Sequence, residues 1–245
     1  MRVLITAGGT SEKIDQVRSI TNHSTGRLGS LIAAAFLEKE AEVHYVTTAA
    51  AKKPPMIKNL FLYEISGTHD LAEQLTGLLK KYTFDLVIHS MAVSDFAPVR
   101  SFSQQAFLTA INDQFQKKQG PLDEKDLAQL TQQVKKDEKK ISSDTKQLYL
   151  ILEKTPKVIQ IIKKLQPQTV LIGFKLLVDV SKEELIDTAY RSLQKSHADF
   201  VLANDLSQIK ADQHIAYLID RNQQIIGTAT DKKAIAQMII KTTNL

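Results

Sequence analysis

The chain has 245 residues, a formal net charge of +5 at pH 7, 6% aromatic residues and no cysteine. The missing cysteine excludes disulfides, thiolate metal sites and a cysteine nucleophile in one step, and fits a reducing compartment. Folded as one α/β domain, a chain this long hides roughly 70 to 75% of the surface its unfolded form exposes, so it needs no covalent staple.

The first thirty residues organise the rest. Residues 2–6 (RVLIT) form a near-continuous apolar run, the pattern of a strand buried on both faces of a parallel sheet. Gly8, Gly9 and Thr10 follow at once. In an open α/β sheet, ligands bind beyond the carboxyl ends of the strands, where backbone N–H groups hold phosphate oxygens without side chains. Gly8, Gly9 and Thr10, with Ser24 and Gly26 further on, are therefore candidates for binding phosphate or substrate. Residues 11–25 make an unusually long and polar βα connection, which reads as functional because it carries Arg18, Asn22 and Ser24 between two glycine clusters. Leu28, Leu31, Ile32, Ala35 and Phe36 then fall at helical spacing.

Residues 42–48 and 60–65 read as the second and third strands, separated by Pro54 and Pro55. A helix starting near Thr68 presents Leu71, Leu75, Leu78 and Leu79 on one face, and residues 84–90 form a fourth strand. The loop after it, residues 91–98, should face the same crevice. Residues 101–138 change character, rich in Gln, Lys and Asp. They read as a helical insertion or flap within the domain, with Phe107, Ile111 and Phe115 on one helix and Leu127, Leu130 and Val134 on a second. A lid, a subunit contact and a solvated excursion all fit that composition.

Residues 147–152 resume the strand pattern, and Thr155 and Pro156 read as an N-cap and first helical residue. Residues 169–175 and 199–204 are further strands, flanking a helix that Ser181 and Glu184 cap. Residues 215–219 and 224–228 form a C-terminal hairpin, and Asp231 caps a last helix. The expected fold is α/β: a Rossmann-like, doubly wound, mostly parallel sheet with helices on both faces and a C-terminal β-hairpin, built as a single domain over residues 1–245. No apolar run reaches membrane-spanning length and the N-terminus reads as a strand, so a cytoplasmic protein without a membrane partner is expected. The dispersed lysines lack the aromatic platforms of single-strand nucleic-acid binders, and phosphate-bearing small molecules account for the charge as well as nucleic acid does.

Several chemistries drop out. The glycine turn is not G-x-G-x-x-G and no tyrosine is followed four residues later by lysine, which argues against an NAD(P) oxidoreductase. No Walker A loop is present. The six histidines show no H-x-x-x-H spacing, so no metal ligands are named. What remains at strand ends is polar: Arg18, Asn22, Asp95, Lys140, Phe174 with Lys175, and Asn204 with Asp205. None is a nucleophile paired with a base. Fixed cations and a neutral amide suit a reaction whose substrates supply the reactive groups, such as phosphoryl or nucleotidyl transfer. A non-catalytic nucleotide-binding or scaffold protein on the same fold is the alternative.

The stretch from Gly8 to Gly26, with Glu12, Ile14, Asp15, Val17, Arg18, Ile20, Thr21, Asn22 and Ser24 at fixed spacing, resembles phosphopantothenate-cysteine ligase, also called phosphopantothenoylcysteine synthetase. The later stretches Ala92-Val93-Ser94-Asp95-Phe96, Lys140-Ile141-Ser142-Ser143, Thr155-Pro156-Lys157-Val158 and Gly173-Phe174-Lys175-Leu176 are similar to that family as well. The resemblance implies a homodimer of coenzyme A biosynthesis that uses magnesium and a nucleoside triphosphate, CTP in bacterial members and ATP in animal ones. The nucleotide activates 4'-phosphopantothenate as an acyl nucleotide, and the cysteine amine then forms the amide. Carried over by motif, Asn22 serves the second half-reaction with Arg18 beside it, while Lys140 binds nucleotide and serves the first. His89, Ser90, Met91, Asp95, Thr155, Pro156, Lys157, Val158, Phe174 and Lys195 would line the nucleotide, and Arg191 stands where many bacterial members have another contacting lysine. Many bacterial members are fused to a flavin-binding decarboxylase. A chain of 245 residues starting at the first motif leaves no room for one, so a monofunctional, flavin-free enzyme is expected.

Overall fold

Five of the six residues of the first strand are buried, as expected for a strand covered on both faces. The computed structural model describes residues 1–133, 145–210 and 213–243. Lys140, Ile141, Ser142, Ser143 and Val134 lie outside the described residues. In chain order the elements are β1 (Arg2–Ala7), β2 (Ser11–Lys13), β3 (Ser19–Thr21), α1 (Arg27–Leu37), β4 (Glu42–Thr48), β5 (Leu60–Ile65), α2 (Thr68–Lys81) and β6 (Leu86–His89). There follow β7 (Phe96–Ser103), α3 (Gln104–Lys118), α4 (Glu124–Gln133), β8 (Leu148–Lys154), α5 (Val158–Leu165), β9 (Val170–Leu177) and α6 (Lys182–Ser196). The chain ends in β10 (Phe200–Asp205), β11 (Ala216–Asp220), β12 (Ile225–Ala229) and α7 (Lys232–Thr242).

The chain divides into two compact units, Met1–Thr10 with Asn22–Val93 and Pro156–Leu245, and Ser11–Thr21 with Ser94–Thr155. The larger holds an eight-stranded sheet in the order β12-β11-β10-β9-β6-β1-β4-β5. The six strands from β10 to β5 are parallel, and β11 and β12 add the antiparallel C-terminal hairpin at one edge. From β1 the chain winds outward through β4 and β5, then returns to place β6 on the other side of β1. The order therefore reverses between β1 and β6, which makes their carboxyl ends the switch point of a doubly wound fold.

Two apolar layers hold the sheet. Ile32, Ala33 and Phe36 of α1 and Ile235 and Ile239 of α7 pack on one face against Val3, Ile5, Ile88 and Leu202. Leu71, Leu75 and Leu78 of α2, Val158 and Ile162 of α5, and Leu185, Ala189 and Leu193 of α6 pack on the other against Leu4, Val87 and Leu171. Each fully buried Leu, Ile or Phe contributes about 1.5–3 kcal/mol over its exposed state, so these stripes fix which helix covers which strand. The expected caps are present at two helices: Ser181 Oγ accepts from Glu184 N at 3.1 Å, and Asp231 Oδ1 accepts from Lys233 N and Ala234 N. α5 differs. It starts at Val158 with Lys157 at the N-cap, and Thr155 does not cap it.

The smaller unit is built on two ribbons. β2 and β3 pair antiparallel, so the polar stretch after the first glycine turn is a short hairpin rather than an open loop. β7 and β8 form a second antiparallel pair, which α3 joins through stacked or edge-on contacts among Phe102, Phe107 and Tyr149. The strand read at residues 147–152 thus belongs to this ribbon and not to the main sheet. An apolar alternation specifies a strand but not which sheet takes it. The compositional break at 101–138 lies inside the unit.

Candidate active site

At the switch point, the loops leaving β1 and β6 are tied to each other. Thr10 N donates to Ala92 O at 3.0 Å and Ala92 N donates to Gly8 O at 2.9 Å, extending the parallel pairing past the strand ends through a Gly9–Ala92 bridge. Asn22 is fastened onto this pair. Its N–H donates to Thr10 O at 3.1 Å and its Nδ2 to Ala92 O at 3.3 Å. The fit requires glycine at position 9, where a Cβ would stand 2.1 Å from the Asn22 carbonyl oxygen. Thr10 and Thr68 are both fully buried, with their hydroxyls 3.5 Å apart.

Just beyond, Gly26 adopts φ +69° to start α1, in the left-handed region that only glycine enters without strain. No side chain caps α1 and no acidic residue occupies its first turn. The positive end of its dipole and the Gly8–Gly9 turn therefore lie at the same edge, with half-buried Ser24 between them in sequence.

On β6, His89 Nδ1 lies 2.9 Å from Thr6 Oγ1. Burial pushes the imidazole pKa down to about 4, so the ring is neutral at pH 7. Ser90 Oγ donates to Thr6 O at 2.7 Å, and the Met91 side chain packs into the layer with Leu71 and Leu75. What Met91 can offer a ligand is thus its main chain. Val158 is likewise buried, whereas Pro156 and Lys157 are exposed at the start of α5. Phe174 is half-buried against the layer formed by α1 and α7. Arg191 and Lys195 stand on the second half of α6, which runs back toward the amino edge of the sheet. Arg191 is ion-paired to Asp187 at 2.6 Å, and Lys195 is exposed in the last turn. Gln160 Nε2, in the first turn of α5 just after Lys157 and Val158, donates to the Lys195 carbonyl oxygen at 3.2 Å, which sets the end of α6 beside the start of α5.

Within the smaller unit, Thr155 N donates to Asp95 O at 3.0 Å and the Thr155 hydroxyl donates to Ser94 O. Thr155 therefore closes the base of the β7–β8 ribbon, the role its sequence reading as a cap missed. The Asp95 side chain is exposed. Arg18 sits in the β2–β3 turn, paired to Asp15.

Asp205, one of the polar strand-end residues, is a structural clasp. Its carboxylate accepts from Asp179 N, Val180 N, Ser207 N and Ser207 Oγ at 2.8–3.0 Å, and these donors hold its pKa at about 2. Thr6 is a site-edge residue that the sequence reading missed; only the β1–β6 register, which pairs it with His89, reveals it. Among the described residues, no three His, Asp or Glu side chains are gathered to hold a metal ion, and no helix is long and apolar enough to cross a membrane.

A doubly wound sheet with glycine turns, an uncapped helix start and a fixed asparagine at its switch point defines a Rossmann-like α/β protein, the class that takes ligands at this edge. The chain belongs to the family of the DNA/pantothenate metabolism flavoprotein C-terminal domain, whose model matches residues 1–121 and 126–244. It is 32% identical over 221 residues to the coenzyme A biosynthesis bifunctional protein CoaBC of Thermococcus kodakarensis, covering 90% of this chain and 45% of that protein. The chain spans about half the length of the curated relatives it matches. The crystal structure of the DNA/pantothenate metabolism flavoprotein from Streptococcus pneumoniae is similar with a TM-score of 0.84 and 41% identity, covering 100% of this chain and 98% of that one. A Cab2 mutant in complex with phosphopantothenate-cysteine shares the fold, with a TM-score of 0.68 at 17% identity over 99% of this chain and 86% of that one.

Proposed function

We propose that this chain is a phosphopantothenate-cysteine ligase. The observation that carries the reading is the fastening of Asn22 to Ala92 and Thr10 at the switch point, which holds a neutral amide donor beside a phosphate-binding edge. Family membership and relatives named for coenzyme A biosynthesis support it. So does the ligand of the Cab2 structure of the same fold.

In this reading a carboxylate oxygen of 4'-phosphopantothenate attacks the α-phosphorus of a nucleoside triphosphate and pyrophosphate leaves. The cysteine amine then attacks the acyl carbon, the nucleoside monophosphate departs, and the amine loses its proton. Backbone N–H groups of Gly8, Gly9 and Thr10 and the start of α1, with Ser24 and Gly26, take phosphate or substrate oxygens. His89, Ser90, Met91, Asp95, Thr155, Pro156, Lys157, Val158 and Phe174 line the nucleotide, with Arg191 and Lys195 as further contacts. Lys140 offsets phosphate charge during activation, and Asn22 with Arg18 serves amide formation. Because no described carboxylate cluster is built for a metal, magnesium enters on the triphosphate, its usual mode. CTP is the preferred nucleotide in this reading, ATP the alternative, and the enzyme acts as a cytoplasmic homodimer.

The test is direct. Protein supplied with phosphopantothenate, cysteine, magnesium and either CTP or ATP should release pyrophosphate and form the amide. Nucleotide binding with no pyrophosphate release from either nucleotide overturns the reading in favour of a non-catalytic nucleotide-binding protein.

A further inference from the structure

The buried methyl of Ala51 lies against both positive-φ glycines of the site. A Cβ built on Gly8 would stand 2.8 Å from it, and one built on Gly26 would stand 3.0 Å from it. The two glycines also face each other, since the same Cβ on Gly26 would be 3.4 Å from Gly8 N. Their φ angles of +97° and +69° account for glycine at both positions. They do not account for a third residue pressed against both.

Ala51 belongs to the loop after β4, a stretch outside every motif of the site. That loop is tied to the two elements it touches, in each case one residue ahead of the glycine. Thr47 Oγ1 donates to Ala7 O at 2.9 Å, and Lys52 N donates to Thr25 O at 2.9 Å. The fully buried Tyr45 donates its hydroxyl to Lys52 O at 3.1 Å, and Ala51 N donates to Thr48 O at 3.1 Å. All of these residues belong to the larger unit. A loop that only joined β4 to β5 would have no need of both ties. With its main chain held on either side, the methyl is a spacer of fixed size. Interiors are close-packed, so a change of size at such a contact must move its neighbours.

We propose that Ala51 is a positioning residue for phosphate binding, setting the gap between the Gly8–Gly9 turn and the first turn of α1. The inference rests on the ligase reading, in which these two backbone edges take phosphate oxygens. Nucleotide and 4'-phosphopantothenate both carry phosphate, so the two are titrated separately.

The experiment uses the full chain, with calorimetric titration of each ligand and steady-state kinetics of pyrophosphate release. Ala51→Val branches the methyl between the two glycines. It should weaken nucleotide or phosphopantothenate, but not both, by about tenfold to a hundredfold, raise the KM of that ligand to match, and leave the KM for cysteine unchanged. Ala51→Ser keeps nearly the same size and should bind that ligand within about twofold of the wild type. Ile239→Val, a core change on α7, controls for lost stability: it should lower the melting temperature without moving either dissociation constant. Should Ala51→Val fail to fold, Ala51→Gly removes the spacer without crowding and should weaken the same single ligand. Wild-type affinity for both ligands in the variant that folds overturns the proposal. So does weakening of both ligands together with a raised KM for cysteine, the mark of general damage to the fold. If the wild type binds its ligands yet releases no pyrophosphate, the ligase reading fails while the titrations still test Ala51. A wild type that binds neither ligand overturns both.

Discussion

His89 Nδ1 stands 2.9 Å from Thr6 Oγ1, and the two residues are paired in register on the adjacent central strands β6 and β1. The contact is sealed: His89 is 7% exposed and Thr6 is fully buried. Desolvation penalises the imidazolium, so the native state keeps this ring neutral down to about pH 4. The unfolded chain takes up that proton near pH 6.5.

The sign of the pH effect follows. Between about pH 6.5 and 4 the unfolded state binds more protons, so stability falls as pH falls through this window. A displacement of that size corresponds to roughly 3 kcal/mol for His89. His214, also buried and also pushed to about 4, adds to the same window. Urea unfolding followed across pH should show this slope, and His89→Gln should remove the His89 share while leaving that of His214. Superimposable curves for variant and wild type would refute the assignment.

Gly9→Ala tests the fastening of Asn22. The new methyl would stand 2.1 Å from Asn22 O, a backbone atom that cannot swing aside as a side chain could. Asn22 must move away from Thr10 and Ala92, loosening the hydrogen bonds that orient its amide. Displacements of about 1 Å at a positioned group typically cost on the order of a hundredfold in rate. Amide formation should fall by about that factor, measured as kcat/KM for cysteine. An unchanged value would show that the placement of Asn22 does not matter.

The parallel core was legible because strands buried on both faces write near-continuous apolar runs, and because the helices between them carry strong periodicity at Leu71, Leu75 and Leu78 or Leu185, Ala189 and Leu193. The β2–β3 hairpin was not. Five of its six strand residues are polar, the sixth being Ile20, and β3 is exposed throughout, so no sustained apolar alternation marks it. Nor could β8 be assigned to its ribbon, since Leu148–Lys154 carries the same kind of apolar run as a core strand and finds β7 only across a long stretch of chain. At the site, the motif residues Gly9, Thr10 and Asn22 were readable, but their dependence on the Ala92 carbonyl was not, because a backbone acceptor leaves no trace in residue type. Asp205 showed the reverse: a carboxylate at a strand end reads as functional, and its four donors become visible only when the loops close on it.

Lys140→Ala addresses activation. In the proposed reaction, charge at the phosphates changes as pyrophosphate leaves, and a cation placed there stabilises that step. Removing one preorganised group of this kind typically costs about 2.7–4 kcal/mol, a hundredfold to a thousandfold in rate. Acyl-nucleotide formation should fall accordingly, followed as pyrophosphate release in the absence of cysteine. A variant with near-normal release would take Lys140 out of the first half-reaction.

Asn22→Asp separates the two half-reactions. If the Asn22 amide donates to the oxygen of the activated acyl group, it matters most when cysteine attack turns that carbonyl into a tetrahedral oxyanion. Activation occurs at phosphorus and gathers its charge elsewhere. An aspartate at position 22 offers no donor and adds a negative charge next to the developing one. It also faces Ala92 O, to which Asn22 Nδ2 donates at 3.3 Å, so acceptor would meet acceptor and the side chain would turn from its present direction. Amide formation should therefore fail while the variant still exchanges pyrophosphate with nucleotide, and the acyl nucleotide should accumulate to a level visible by mass spectrometry. Should Asn22→Asp block pyrophosphate exchange while phosphopantothenate and nucleotide still bind, the amide belongs to activation, and the division of work between Asn22 and Lys140 is reversed.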